Sequence, residues 1–254
     1  MSTSYAEPVL AWYARHARDL PWRAPDATPW AVLVSEIMLQ QTPVARVWPE
    51  YLRWIARWPT PAALAAEPAG EAIRQWGRLG YPRRALRLHE TATILTTQHD
   101  GKVPADRDVL ITLPGIGSYT AAAVASFAFG HRHAVLDTNV RRVLARLVGG
   151  QPGPAAAPSV AEQRLAESLL PADPAMAARW SVAVMELGAL VCTAASAAGV
   201  GHRAIHLRYS GSTRATGVCC SIISLTSTDQ GVAPGARQGR SRAWRAYQAS
   251  TGSA

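Results

Sequence analysis

The 254-residue sequence is poor in several residue types that mark particular protein classes. Lysine occurs once, at Lys102, so arginine supplies nearly all of the positive charge. The three cysteines, Cys192, Cys219 and Cys220, are too few for the disulfide framework of a small secreted protein. No apolar run approaches the roughly 18 residues of a membrane span, and the N-terminus lacks the basic and apolar regions of a signal peptide. These absences predict a cytoplasmic protein with no membrane span.

Charged residues are also scarce, at 17% of the chain, but their balance is strongly basic. The net charge is +9 and the isoelectric point is about 10.2. Such a balance favours an anionic partner such as DNA, RNA or a membrane surface. The signal is weak alone, because many basic proteins bind none of these.

The sequence contains no stretch in which apolar and polar residues alternate as they do in a half-buried strand. Apolar residues instead recur at helical spacing in the segments 9–16, 30–39, 43–58 and 159–170. Thr28, Thr42 and Asp173 each precede a proline, which is typical of a capped helix start. The sequence therefore predicts an all-α fold.

Two predicted helices flank the short segment Leu113-Pro114-Gly115-Ile116-Gly117. Asp106 is expected to cap the first helix, and Ser118 the second, which runs over 119–129. A turn of this kind exposes backbone N–H groups at the start of the second helix, where they suit a phosphate. The same pattern also fits an ordinary helical hairpin with a glycine at a helix end.

This hairpin, followed by Val135-Leu136-Asp137-Thr138-Asn139-Val140-Arg141-Arg142-Val143, resembles the helix-hairpin-helix and Gly/Pro-Asp signature of the endonuclease III superfamily. The segment Ser35-Glu36-Ile37-Met38-Leu39-Gln40-Gln41-Thr42 resembles the adenine glycosylase branch of that superfamily, as do residues 20–23 and 185–189. The resemblance covers about residues 5–194. It implies two helical subdomains, 28–134 (a six-helix barrel with the hairpin) and 1–27 plus 135–194, with the active site in the cleft between them.

Removing a base from deoxyribose requires an acid to protonate the base and a carboxylate to face the cationic sugar. Glu36 lies among apolar residues, which should raise its pKa and keep it protonated. The resemblance makes Glu36 the acid and Asp137 the second catalytic carboxylate, kept ionised at its helix start. The alternatives are a surface glutamate on an amphipathic helix and a plain helix cap.

The resemblance also places Tyr119 and Asn139 near the reacting sugar, although a tyrosine after a turn is otherwise usually a packing residue. In the lyase members of the superfamily a lysine at the position of Tyr119 forms a Schiff base with the sugar. The only lysine here, Lys102, precedes the hairpin. The sequence therefore predicts a monofunctional glycosylase.

Other positions are assigned to DNA by the resemblance. Gln41 would be the wedge in the duplex and Thr42 would contact the opposite base, whereas the alternative is a polar helix end. The remaining contacts expected with the adenine, the duplex or its phosphates are Trp22, Arg23, Leu39, Gln40, Gly115, Gly117, Ser118 and Glu186. Arg141 and Arg142 would face phosphates or simply be solvated.

The family carries a [4Fe–4S] cluster held by four cysteines. Cys192 stands where the first ligand should be, but the next three positions hold Gly199, His202 and Arg208. The ligand set is therefore incomplete, and Cys192 reads as a vestigial ligand. The resemblance also implies a monovalent cation at the hairpin, bound by the carbonyls of Ile111, Leu113 and Ile116.

Residues 195–254 read as an atypical, poorly ordered tail, since Asp229 is their only acidic residue and they show no clear period. Two origins stay open: a reading-frame change after Thr193, or a natural variant without the cluster. The expected function is removal of adenine mispaired with 8-oxoguanine or guanine in double-stranded DNA, by a monomer. The alternatives are an endonuclease III-like pyrimidine glycosylase and lyase, and a non-catalytic DNA-binding remnant.

Overall fold

The computed structural model describes residues 5–194, and within this range the chain is built from helices and turns without a strand. The predicted all-α class is thereby confirmed. The helices are α1 (Ala6–His16), α2 (Pro29–Leu39), α3 (Val44–Arg57), α4 (Pro61–Ala65), α5 (Ala69–Trp76), α6 (Arg83–Gln98), α7 (Arg107–Leu110), α8 (Ser118–Phe129), α9 (Thr138–Leu147), α10 (Val160–Leu169) and α11 (Pro174–Leu190), with a 3-10 turn at Pro21–Arg23.

Local capping explains where several helices begin. The side chains of Thr28, Asp106 and Asp173 accept hydrogen bonds from the backbone N–H groups that follow them, as the sequence predicts. The prediction that Thr42 caps α3 is wrong, because the residue before the first turn is Pro43. The Thr42 side chain instead accepts a hydrogen bond from Arg84 Nη2 at 3.0 Å.

The described chain divides into two compact units. The hairpin unit comprises residues 19–129, and its centre is a tryptophan cluster in which Trp54 packs edge-on against Trp58 and Trp76 at 4.6 and 5.6 Å. The sequence assigns residues 19–27 to the other unit, but the structure places them here. The reason is that Leu20 and Trp22 are buried in this core.

The Asp137 unit comprises residues 5–18 and 130–194. Its core is formed where α1 and α9 pack against α11, with Val9, Val143 and Trp180 all buried. Residues 130–134, which the sequence assigns to the barrel, belong to this unit. Two remote parts of the chain therefore meet around α9, the helix that begins at Asp137.

No helix within residues 5–194 has both the length and the apolar character needed to cross a membrane. The predicted tail, 195–254, lies outside the described residues, and so do Gly199, His202, Arg208, Cys219 and Cys220.

Candidate active site

Glu36 is held in an almost completely buried helix. Every residue of α2 from Trp30 to Met38 is buried, and Glu36 itself is only 6% exposed. A helix that is apolar on all sides packs inside a protein, so a carboxyl group there must be desolvated. The alternative of a surface glutamate on an amphipathic helix is therefore wrong. The raised pKa of Glu36 stays a prediction.

The segment after α2 turns sharply and places its three polar residues in different surroundings. Gln40 reaches α8, where its Nε2 donates to Thr120 Oγ1 at 3.3 Å. Gln41 is exposed, with a left-handed backbone at φ 56°. Thr42 is buried at 7% exposure. Of these three residues, only Gln41 is exposed.

Trp22 and Arg23 lie in the 3-10 turn of the hairpin unit. Trp22 is buried and its ring meets those of Tyr51 and Trp48 edge-on, with centroids 5.1 and 6.3 Å apart. Arg23 is half-buried. The observed role of Trp22 is core packing, and its place in an adenine pocket stays a prediction.

The hairpin turn combines two buried anchors with an exposed helix start. Leu113 and Ile116 are 4% and 5% exposed, whereas Gly117 and Ser118 are exposed at the first turn of α8. Gly115 has φ 77°, a conformation that favours glycine, and a Cβ there would make a tight contact of 3.0 Å with Arg87 Cβ. The helix begins at Ser118 itself, one residue before the predicted start. The first turn of this 12-residue helix can offer amide groups to a phosphate.

Asp137 begins α9 and is both a cap and a constrained carboxylate. Its Oδ1 accepts from Val140 N at 2.7 Å, and its Oδ2 accepts from Asn139 Nδ2 at 2.7 Å. Burial raises the pKa of Asp137 above the ordinary 3.8, while these hydrogen bonds and the charge of Arg142 act in the opposite direction. The sequence-based view that capping alone determines its ionisation is therefore incomplete.

Asn139 links Asp137 to the end of α11. Its Oδ1 accepts from Arg142 Nη2 at 2.6 Å, which fixes the orientation of the amide. Arg142 also donates to the carbonyls of Gly188 at 2.8 Å and Cys192 at 2.6 Å. One guanidinium therefore anchors the residue that holds Asp137.

Gly188 allows this close packing. A Cβ on Gly188 would lie 2.7 Å from Asn139 Cβ and 2.8 Å from its carbonyl oxygen, distances that no side chain can accept. The glycine of the Met-Glu-Leu-Gly-Ala segment therefore has a steric role that sequence reasoning missed. The signal was present as a glycine inside a long helical pattern, where it costs stability unless packing requires it.

Both sequence-based alternatives for Arg141 and Arg142 are wrong, since neither side chain is solvated or available to phosphate. The two residues are 9% and 8% exposed. Arg141 grips both carboxylate oxygens of Glu162 at 3.0–3.3 Å and donates to the carbonyls of Ala155 and Ala157. Arg141 therefore connects α9 to the loop before α10 and to α10 itself, while Arg142 connects α9 to the end of α11.

Glu186 is fully buried and forms an ion pair with Arg18. Its Oε1 accepts from Arg18 Nε at 2.7 Å and from Arg18 N at 3.0 Å, and its Oε2 accepts from Arg18 Nη2 at 2.8 Å. The hydrogen bond to Glu186 raises the pKa of Arg18 further. This fork ties α11 to the segment after α1, and a role of Glu186 toward adenine stays a prediction.

Cys192 is buried, and its Sγ accepts a hydrogen bond from Arg146 Nη1 at 3.2 Å. Within residues 5–194 no group of three or more His, Cys, Asp or Glu side chains could hold a metal ion. The whole chain has three cysteines, so a four-cysteine cluster does not fit it.

Purified protein is therefore expected to contain no stoichiometric iron, and its visible spectrum should lack a cluster band. Iron determination on aerobically and anaerobically purified chain checks this. Near four irons per chain, together with visible absorbance that a chelator removes, would contradict it.

A family model for HhH-GPD superfamily base excision DNA repair proteins matches residues 34–170. The matched span is more than half of the chain and contains Glu36, the hairpin and Asp137. The chain belongs to the HhH-GPD superfamily. The predicted family is confirmed.

This HhH-GPD chain is similar to curated glycosylases of more than one kind. Adenine DNA glycosylase of Mycobacterium tuberculosis is 55% identical over 189 residues, which are 73% of this chain and 61% of the relative. The human adenine DNA glycosylase is 41% identical, covering 75% of this chain and 36% of the relative. Thymine/uracil-DNA glycosylase of Pyrobaculum aerophilum is 34% identical, covering 76% and 85%. The chain thus spans 61% of the length of the mycobacterial relative.

Solved structures confirm the fold. A thermostable thymine-DNA glycosylase superposes with a TM-score of 0.67 and 28% identity, covering 75% of this chain and 87% of its own. Endonuclease III, in a trapped covalent intermediate with DNA, gives 0.63 and 26%, covering 74% and 85%. The helical architecture is therefore that of the HhH-GPD glycosylases.

Proposed function

We propose that this chain hydrolyses the N-glycosidic bond of adenine mispaired with 8-oxoguanine or guanine in double-stranded DNA. The observation that carries the proposal is Glu36, a carboxyl group 6% exposed in a buried apolar helix. The similarity to adenine DNA glycosylases at 55% and 41% identity supports adenine as the base removed. The prediction of a cytoplasmic monomer is retained with it.

The proposed chemistry divides the work between two carboxyl groups. The bond from sugar to adenine breaks with its electron pair left on the base, and Glu36 supplies a proton to an adenine ring nitrogen. Asp137, held by Val140 and Asn139, faces the cationic sugar as a carboxylate. Water then adds to the sugar carbon and loses a proton, which leaves an abasic site.

The exposed surfaces of the hairpin unit suit the duplex. The first turn of α8, at Gly117 and Ser118, is proposed to bind a backbone phosphate, a contact that reads no sequence. Gln41, exposed on its tight turn, is proposed to fill the gap left when adenine leaves the stack. Tyr119, half-buried after the turn, is proposed to lie near the sugar. The cation at the carbonyls of Ile111, Leu113 and Ile116 stays a prediction.

Glu36→Gln is expected to lower the single-turnover rate constant of adenine release by about 10²- to 10⁴-fold, because glutamine cannot donate the proton. The assay uses duplexes with A opposite 8-oxoguanine, G or T. The matched control is Glu90→Gln, an exposed glutamate of α6, which should leave the rate unchanged. Equal and negligible release by wild type and Glu36→Gln would favour the non-catalytic DNA-binding remnant instead.

Borohydride should trap no covalent complex between this chain and substrate DNA, because Tyr119 occupies the lyase lysine position. The chain has one lysine, Lys102, which is exposed. Gel analysis of reduced reactions checks the expectation, with Lys102→Ala as the comparison. A good yield of complex from wild type that disappears in Lys102→Ala would support the endonuclease III-like lyase.

A further inference from the structure

Arg84, near the start of α6, donates hydrogen bonds to the C-terminal end of α2. Its Nη1 donates to the carbonyls of Ile37 at 3.0 Å and Met38 at 3.1 Å, and also to that of Gln40. The first two are carbonyls of the last turn of α2 and the third belongs to the residue that follows it, where carbonyls have no N–H partner within the helix. A cation at this end also complements the helix dipole. Arg84 therefore terminates the helix that carries Glu36.

The same guanidinium holds a second turn. Arg84 Nη2 donates to Thr42 Oγ1 at 3.0 Å and to the carbonyls of Gly80 at 3.1 Å and Leu79 at 3.5 Å. Its Cζ lies 5.3 Å from the ring centroids of both Trp76 and Tyr81. Residues 37–42 and 79–81 are thus joined through one side chain. The two Nη groups of a planar guanidinium can reach both turns at once, whereas the single ammonium group of a lysine cannot.

Both joined turns contain a non-glycine residue in the left-handed region. Gln41 has φ 56° and Tyr81 has φ 50°. Such residues persist only where their surroundings hold them, and they cluster at ligand-contacting sites. Both are also exposed, Tyr81 at 62%. Two exposed residues with left-handed backbones, on turns joined by one half-buried guanidinium, indicate a surface shaped for a partner.

We propose that Arg84 is a positioning residue that locks the turns 40–42 and 79–81 into one preformed edge that meets the DNA duplex. The proposal rests on the proposed function, because that function supplies the duplex and the extruded base. Arg84 touches neither base nor sugar in this account. It acts by fixing the backbone from which Gln41 projects, since a wedge on a loose turn would not hold the base out of the stack.

The test compares Arg84→Gln with Arg83→Gln, the exposed neighbour on the same helix. Both variants lose one positive charge, so general electrostatic attraction to DNA changes equally. Hydrogen exchange is measured for segments 38–44 and 78–83, with 121–129 of α8 as the internal reference. Arg84→Gln should speed exchange in both turn segments together and leave the reference unchanged. Arg83→Gln should change none of them.

Base extrusion is measured by placing 2-aminopurine at the target position, because its fluorescence rises when it leaves the stack. Catalysis is measured as the single-turnover rate constant of adenine release. We expect Arg84→Gln to lower the fluorescence rise and the rate constant by about tenfold or more relative to Arg83→Gln. Arg84→Lys keeps the positive charge but loses the planar guanidinium, so its fluorescence rise and rate constant should lie between those of wild type and Arg84→Gln. If Arg84→Gln does not fold, Arg84→Lys against Arg83→Lys gives the same comparison.

The proposal is overturned if wild type releases adenine and the Arg84 variants match the Arg83 variants. It is also overturned if exchange rises equally in 121–129, because Arg84 would then only stabilise the unit. A wild type that binds duplex without releasing adenine contradicts the proposed function alone. In that case hydrogen exchange is measured with duplex bound. The positioning role is supported if the duplex slows exchange of 38–44 and 78–83 in wild type and Arg83→Gln but not in Arg84→Gln. It is overturned if the duplex slows exchange equally in all three proteins.

Discussion

Asp137→Asn is expected to lower the single-turnover rate constant of adenine release by about 100- to 1000-fold, the loss typical of removing one preorganised electrostatic partner of a transition state. Asparagine carries no charge to oppose the cationic sugar. It can still accept the hydrogen bond from Val140 N, so the start of α9 should remain intact. Adenine release measured with enzyme in excess over an A:8-oxoguanine duplex checks this.

Stability separates this loss from misfolding. Burial raises the pKa of Asp137 in the folded protein, so the folded state binds the proton more tightly than the unfolded chain does. The stability that this group contributes is therefore fully present below its unfolded pKa and is lost as pH rises through its folded pKa. At neutral pH the Asp137→Asn variant loses a buried charge but also the hydrogen bond that Oδ2 accepts from Asn139 Nδ2, so its midpoint of urea unfolding should stay close to that of wild type. A parallel fall in rate and stability would contradict an electrostatic role.

Arg142→Gln is expected to lower the adenine-release rate constant by about tenfold or more, because a misplaced catalytic group can cost up to about 100-fold. The variant removes the donor that fixes Asn139 Oδ1, so Asp137 loses its anchor. The charge of Arg142 also lowers the pKa of Asp137. Its removal should therefore shift the acidic limb of the pH–rate profile toward higher pH.

Arg141→Gln is the matched control, since Arg141 is equally buried but binds Glu162 and two loop carbonyls. Each variant should lower the free energy of unfolding by about 1.5–3 kcal/mol, through loss of charged hydrogen bonds. Only Arg142→Gln should change the adenine-release rate constant per folded molecule and the position of the acidic limb of the pH–rate profile. Identical pH–rate profiles for the two variants would show that Arg142 acts on stability alone.

Local chemistry made much of this molecule predictable. The caps at Thr28, Asp106, Asp137 and Asp173 depend on residues three or fewer positions away, so sequence alone places them. The burial of Glu36 followed from its apolar neighbours in the same way. Periodicity was equally informative, because it reports which face of each helix is buried.

The errors concern contacts between distant parts of the chain. Thr42 does not cap α3, because Arg84, 42 residues away, binds its hydroxyl group. The sequence predicts a solvated or phosphate-facing Arg142, yet its side chain reaches the carbonyl of Cys192, 50 residues along the chain. The partner of Glu186 is 168 residues away. Nothing in local spacing identifies such partners, so these arginine contacts could only be found in the folded structure.

The most direct test of the central claim is product analysis of a single-turnover reaction on an A:8-oxoguanine duplex. We expect free adenine in amounts equal to the abasic sites formed, with the abasic strand intact until alkali is added. Glu36→Gln should form neither product at a comparable rate. Release of thymine or uracil from mispaired duplexes without adenine release, or strand cleavage without alkali, would contradict it.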